Sequence, residues 1–136
     1  MLKVTVSIFL GLVLAGMSLV SMAEEDENQG EIRYVDLTPA LVANFGGPGK
    51  LKFLRADVSL RVDSQEAMRA VAYHLPALRH TLIMLLSKQT GETLSSAEGK
   101  EQLRLEALAQ AQQVIEAEEG QKYIEDLLFT GFFMQH

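Results

Sequence analysis

The sequence predicts an α+β domain in which two strands are followed by two helical regions and a closing strand. Apolar and polar residues alternate at positions 54–62, which is the period of a strand with one buried face. Apolar residues recur every three or four positions between Met68 and Leu86, as in an amphipathic helix. The chain ends in a segment rich in phenylalanine and leucine. This β-β-α-α-β order predicts a small antiparallel or mixed sheet covered by two helical segments.

Residues 1–23 have the features of a targeting segment. Lys3 is the one charge before an apolar run at residues 4–20, and Ser21-Met22-Ala23 then supplies small residues for cleavage after Ala23. The run is long for a cleaved signal peptide and short for a spanning helix. Signal peptide, retained membrane anchor and core helix therefore remain open as interpretations, and the first two predict that the rest of the chain leaves the cytoplasm.

Composition narrows the compartment and the partners. The chain has 136 residues, enough for one domain, and carries a net charge of −6 with no cysteine. An exported chain without disulfides suits a Gram-negative periplasm better than an extracellular scaffold. The acidic balance argues against a nucleic-acid partner, because neutralising phosphates requires clustered lysine and arginine.

The domain is predicted to occupy residues 31–136, after an acidic linker at residues 24–30. Its first strand runs from Glu31 to Phe45 and contains Pro39, which predicts an edge or bulged strand because proline lacks an N–H donor. The sequence GGPG at residues 46–49 predicts a turn. A phosphate-binding loop is disfavoured, since no lysine–hydroxyl pair and helix follow it.

The second strand carries the candidate site of this sequence. Between its apolar positions lie polar residues of both charge signs, which the alternation places together on the solvated face. Such a face pairs with neighbouring strands or with a second protein. We therefore predict a protein interface formed by Arg55, Asp57, Ser59 and Arg61.

Capping signals delimit the helices. Asp63 with Glu66 predicts the start of the first helical region, Pro76 predicts a kink or a split inside it, and Gly91 predicts its end. Ser95 with Glu98 predicts a second capping box, and the helix that follows is predicted to stop at Gly120. Leu103, Arg104 and Leu108 of this second helix are predicted to dock on leucines of the first.

The closing segment is apolar on both faces from Leu127 onward. A strand of that kind is typical of a sheet interior with a cover on each side. We therefore predict that Phe129 and Phe133 pack against the helices and the other strands. The remaining apolar face predicts a further cover, such as another copy of the protein.

The sequence contains no pattern that predicts catalysis, a cofactor or a metal site. His74 and His80 lie six residues apart, so their rings diverge on a helix, whereas a metal pair prefers a spacing of three or four. The serines lack the local signature of a nucleophile elbow. The prediction is a non-enzymatic protein with no catalytic residue.

Several stretches, in order, resemble the periplasmic domain of the FliL family of flagellar basal-body-associated proteins. Together they span residues 34–135. They are Tyr34-x-x-Leu37-x-Pro39, Asn44, residues 54–62, Pro76-Ala77-Leu78-Arg79, Leu82-Ile83, Leu85-Leu86-Ser87, Thr90, Leu94, Gly99-Lys100, Leu103-Arg104, Leu108, Phe129-Thr130 and residues 132–135.

The resemblance implies a stomatin-like (SPFH) fold and no enzymatic activity. FliL-like proteins are single-pass inner-membrane proteins that form rings around the ion-driven stator and support torque, swimming and swarming. The resemblance thus implies a homo-oligomer in the periplasm, or at the inner membrane if residues 1–23 are retained, with stator or basal-body proteins as partners. The alternative is a stomatin-like envelope scaffold unrelated to motility.

Overall fold

The computed structural model of the chain describes residues 30–49 and 51–135. Residues 1–23 and most of the acidic linker lie outside the described residues. The predictions made for them, including cleavage after Ala23, therefore stay predictions. The elements in chain order are β1 (Arg33–Phe45), β2 (Lys52–Val62), α1 (Gln65–Tyr73), α2 (Leu75–Ser87), α3 (Gly91–Ser95), α4 (Ala97–Glu119) and β3 (Asp126–Gln135). The α+β class and the order of strands and helical regions are confirmed.

The sheet has the order β1-β2-β3, and both strand pairs are antiparallel. β2 lies in the centre, where its alternating pattern buries one side chain in two: Leu54, Val58 and Leu60 are at most 2% exposed. The helices cover that side of the sheet. We call the opposite side the outer face.

β1 is an edge strand with an irregularity at its proline, as predicted. Its register against β2 shifts between Leu37 and Leu41, the interval that contains Pro39. Proline cannot donate a ladder hydrogen bond, so it is accommodated where the pairing is interrupted. The bends at residues 46–49 confirm the predicted turn between β1 and β2.

The first helical region is split as Pro76 predicts. α1 ends at Tyr73, and α2 begins at Leu75 with Pro76 in its first turn, where a missing N–H costs nothing. The predicted cap at Asp63 is wrong by one residue. Ser64 caps α1 instead, its Oγ accepting a hydrogen bond from the amide of Ala67 at 3.0 Å.

Two further predictions of helix boundaries are wrong. Gly91 begins α3, with Thr90 as the capping residue, rather than ending the preceding helix. Ser96, not Ser95, caps α4 by accepting from the amide of Gly99 at 2.9 Å, whereas the Ser95 hydroxyl donates to the carbonyl of Gly91. The left-handed Gly120 ends α4 as predicted.

One apolar core lies between the sheet and the helices. Leu103 is buried in one core with the leucines of α2, and Leu108 packs against that core, as predicted. Burying one such leucine stabilises the fold by about 1.5–3 kcal/mol. The prediction is wrong for Arg104, whose guanidinium bonds Asp126 and Leu127 of β3. The fully buried large side chains are Leu41, Leu54, Leu60, Leu78, Leu82, Leu86, Leu94, Leu103, Ile115, Ile124, Leu127 and Val62.

β3 lies at the edge of the sheet, so the prediction of an interior strand is wrong. It pairs with β2 alone within the described residues. Its core-facing side chains, among them Phe129 and Phe132, pack on the core, but Phe133 points to the outer face and is 62% exposed. The strand is apolar on both faces although the domain covers only one of them.

Over residues 30–49 and 51–135, none of the helices is both long and apolar enough to cross a membrane.

We predict that Gly99→Ala destabilises the domain by about 1–3 kcal/mol, because overpacking forces the backbone to shift. A Cβ at this position would collide with the carbonyl of Thr93, where α3 meets α4. Gly91→Ala is the matched control, since its Cβ would meet Phe45 at an ordinary 4.0 Å. Urea unfolding checks both, and equal midpoints for the two variants would contradict the packing described.

Candidate interaction face

The outer face of the sheet brings together side chains from all three strands. Val42 of β1 lies beside Arg55 of β2, which lies beside Phe133 of β3. Two residues further along the strands, on the same face, Phe53 lies beside Gln135. The helices are on the other side, so nothing within the described residues forms a second layer over these side chains.

Three apolar side chains on the outer face form what we call the apolar patch: Val42, Phe53 and Phe133. They are 56%, 41% and 62% exposed. With Arg55 and Gln135 they line a shallow groove of about 450 Å³ at the end of the sheet next to the β1–β2 turn. Exposed apolar side chains that cluster in this way mark interaction sites more often than single exposed residues do.

The charged residues of the outer face are held loosely. The Arg55 guanidinium lies 3.7 Å from the Asp57 carboxylate, and both side chains are largely exposed. An exposed pair of this kind contributes only about 0–1 kcal/mol, so the Arg55 charge can turn toward a partner at little cost. Arg61 is less free, because its Nε, 3.6 Å from the Glu125 carboxylate, is buried.

Ser59 does not belong to the exposed part of this face. The sequence predicts it in solvent, but it is 5% exposed and donates a hydrogen bond to the Asp36 carboxylate at 2.7 Å. Asp36 of β1 and Leu128 of β3 flank it in the sheet. The predicted interface is therefore narrowed to Arg55, Asp57 and Arg61, whose role in binding stays a prediction.

Gly131 keeps the outer face flat next to these charges. It lies opposite Asp57, and a Cβ at this position would collide with the Asp57 carboxylate. The carboxylate therefore lies across the β3 backbone rather than standing away from the sheet. A larger residue at position 131 would push Asp57 outward and change the shape of the face.

Arg104 of α4 fixes the start of β3. Its guanidinium donates to the Asp126 carboxylate at 2.6 Å and to the carbonyl of Leu127 at 3.2 Å. It also donates twice to Glu101, one turn earlier in α4. The hydrogen bonds to Arg104 lower the pKa of Glu101, and those to Glu101, with the Asp126 charge, raise the pKa of Arg104. This network joins the helical layer to the edge strand.

The histidines play separate roles. His74 lies at the junction of α1 and α2, where its Nε2 is 2.8 Å from the Glu119 carboxylate of α4. His80 is exposed on α2. Over residues 30–49 and 51–135, no three side chains of metal-ligating type come together.

Comparison with known proteins places the domain in a family. A family profile described as "Flagellar basal body-associated protein FliL" matches residues 34–135, which include all three strands and all four helices except the first residue of β1. The chain belongs to the FliL family. A relative from Aquifex aeolicus, "Flagellar protein FliL", is 28% identical over 99 residues, which are 73% of this chain and 59% of the relative.

The match extends over less than two thirds of that FliL relative, so it compares this chain with part of a longer protein. The family is one of flagellar basal-body-associated proteins and not one of known enzymes. The predicted family is thereby confirmed.

The predictions from sequence did not include the apolar patch of this FliL-family domain. Phe53 precedes the alternating run, and Val42 and Phe133 lie in segments that are apolar on both sides. The sequence alone could have placed Phe53 on this face, because alternate residues of a strand share a face and Phe53, Arg55 and Asp57 alternate in β2. The contribution of Val42 and Phe133 follows only once the register with β1 and β3 is known.

We predict that Arg104→Ala destabilises the FliL domain by about 1–3 kcal/mol, the effect of removing charged hydrogen bonds from partly buried partners. Arg55→Ala is the control, with an expected loss below about 1 kcal/mol because its ion pair is exposed. Urea unfolding followed by circular dichroism measures both. An equal loss for the two variants would rule out a special role of Arg104 in holding β3.

We also predict a specific acid dependence of stability. The folded pKa of Glu101 lies below its ordinary value of 4.5, so its pairing with Arg104 contributes above that value and is lost as pH falls through the folded pKa. Wild type should thus exceed Glu101→Gln in stability at neutral pH, and the difference should vanish once the pH lies below the folded pKa of Glu101.

Glu106→Gln serves as the control for this pH dependence, since Glu106 contacts the neutral amide of Gln110. The comparison shows whether the pH dependence belongs to the Glu101–Arg104 pairing or to the loss of any surface carboxylate. A Glu101→Gln difference that persists unchanged into acid would contradict the assigned pairing.

Proposed function

We propose that this FliL-family protein acts in the periplasm at the flagellar basal body, as a non-enzymatic component that self-associates and supports the stator. The observation that carries the proposal is the family match across residues 34–135. Since it includes almost the whole described fold, the resemblance concerns the folded domain and not an isolated motif.

The outer face supports a binding role. It combines an apolar patch with loosely paired charges of both signs at Arg55 and Asp57. Arrangements of this kind fit the anatomy of protein interfaces, in which an apolar centre is surrounded by polar groups. The exposed ion pairs are weak, so stable assembly draws on many contacts or on confinement near a membrane.

A stomatin-like fold forms part of the same proposal. An antiparallel sheet with helices on one side is compatible with it, and such a fold also suits an envelope scaffold unrelated to motility. That scaffold is the alternative outcome of the experiments below. It predicts association with envelope complexes other than the flagellum.

The central test is deletion of the gene in its own host. We expect reduced swarming on agar and reduced swimming speed in viscous medium, where motor load is high, with restoration by the wild-type gene. Unchanged motility under high load, with flagella assembled normally, would overturn the flagellar role. Co-purification with unrelated envelope complexes in that case would favour the scaffold.

Whether the protein keeps its N-terminal segment can be measured directly. Mass spectrometry of the native protein distinguishes a mature chain that begins at Glu24 from one that retains residues 1–23. The first result means a cleaved signal peptide, and the second means a tethered domain with the inner membrane as an additional partner.

A further inference from the structure

The outward edge of β3 is the least protected part of the sheet. β3 pairs with β2 on one side, and no other strand of the described chain pairs with its second side. An unpaired edge presents a row of N–H and C=O groups that can template pairing with another strand. Natural proteins block such edges with proline, lysine, bulges or a covering element.

The two edges of this sheet differ in that protection. β1 contains Pro39 and a break in register, both of which discourage an added strand. The last part of β3, residues 131–135, keeps an unbroken register against β2 from Asp57 to Phe53. Residues 127–135 contain neither proline nor any charged side chain.

Phe133 lies in the middle of that regular segment and faces solvent. It is among the most exposed of the large apolar side chains in the described chain, at 62%. On its β2 side it is next to Arg55. A strand added along the free edge would cover Phe133 from the opposite side and remove apolar surface from water.

We propose that residues 131–135 pair antiparallel with the same segment of a second copy, about a two-fold axis at Phe133. This inference rests on the self-association in the proposed function and names one surface that takes part in it, because a two-fold contact joins only two copies. The three-stranded sheets of two copies then join into one continuous sheet of six strands. A two-fold contact of this kind uses the same patch on both copies.

Charge favours a second copy at this edge. In the symmetric register Gly131 faces Gln135, Phe132 faces Met134 and Phe133 faces its own counterpart. All of these side chains are uncharged. The chain carries a net charge of −6, and a contact through a charge-free segment lets two copies meet without bringing like charges together.

The contact is small, so it is weak. Five residues of edge pairing bury less than the roughly 1,200–2,000 Å² of a standard stable interface. We expect a dissociation constant of about 10 μM to 1 mM in solution. Confinement of copies around one structure raises their effective concentration and favours the dimer.

Cross-linking tests the proposed register. The chain contains no cysteine, so a single introduced thiol is the one site at which a thiol reagent can link two copies. Full-length protein carrying Phe133→Cys is treated with a short bis-maleimide at about 100 μM, above the lower end of that range. Tyr73→Cys is the matched control, since Tyr73 is 80% exposed on α1, on the helical side. We expect at least about tenfold more cross-linked dimer for position 133. Equal yields would overturn the proposal.

Charge insertion is the second test. Phe133→Glu places two carboxylates opposite each other across the axis, which opposes pairing. We expect it to weaken dimerisation at least about tenfold in sedimentation equilibrium, with an unchanged thermal unfolding midpoint. Val42→Glu alters the same apolar patch from β1 and should leave the dimer intact.

The outcomes of these experiments distinguish failure of the edge-pairing proposal from failure of the proposed function. An equal loss in Val42→Glu and Phe133→Glu would mean that the faces of two sheets pack together, and edge pairing would be wrong. A wild-type dimer that persists in Phe133→Glu would keep self-association but overturn this edge. A wild-type protein that stays monomeric at about 1 mM would also overturn it, while deletion phenotypes still decide the flagellar role.

Discussion

The position of β3 at the edge of the sheet is the constraint on which the rest of the molecule depends. β2 fixes the strand on one side through a nine-residue register, interrupted by one irregularity next to Val58. Arg104 fixes its beginning from the helical layer. No other strand of the described chain adds hydrogen bonds along its second side. The same strand therefore completes the core with one face and leaves Phe133 in solvent with the other.

A two-layer domain of this kind has one covered and one open side. The helices bury the inner side chains of the sheet, whereas the outer face keeps an apolar patch and weak ion pairs. A solvated antiparallel sheet normally carries polar residues on its open face. The outer face departs from that rule at Val42, Phe53 and Phe133, and the proposed binding role depends on this departure. The core accounts for stability, and the open side is the surface available for the proposed association.

Local patterns predict much of this architecture. Period-two alternation located β2, Pro39 located the interruption of β1, and Gly120 located the end of α4. The predicted caps of α1 and α4 were wrong by one residue, because two side chains able to accept a hydrogen bond are adjacent at the start of each helix. Which of Asp63 and Ser64 caps depends on the backbone angles at each position, and a sequence pattern does not contain them.

Features that depend on neighbouring strands were not predictable in the same way. Ser59 is polar and has the parity of the outer face, yet Asp36 and Leu128 bury it from distant parts of the chain. Apolar residues on both sides of β3 resemble a sheet interior whether the second cover comes from the same domain or from another molecule. The sequence pattern shows that both faces of β3 are apolar. Only the strand order and the position of the helices show which of those faces the domain itself covers.

Hydrogen exchange of the backbone amides, measured residue by residue in dilute protein, shows whether the second side of β3 is unpaired. We expect strong protection throughout β2, which is hydrogen-bonded on both sides, and rapid exchange at alternate amides of residues 131–135, whose free edge faces solvent. Protection of those amides should rise with protein concentration. Uniform protection of β3 equal to that of β2 in the dilute monomer would contradict its placement at an open edge.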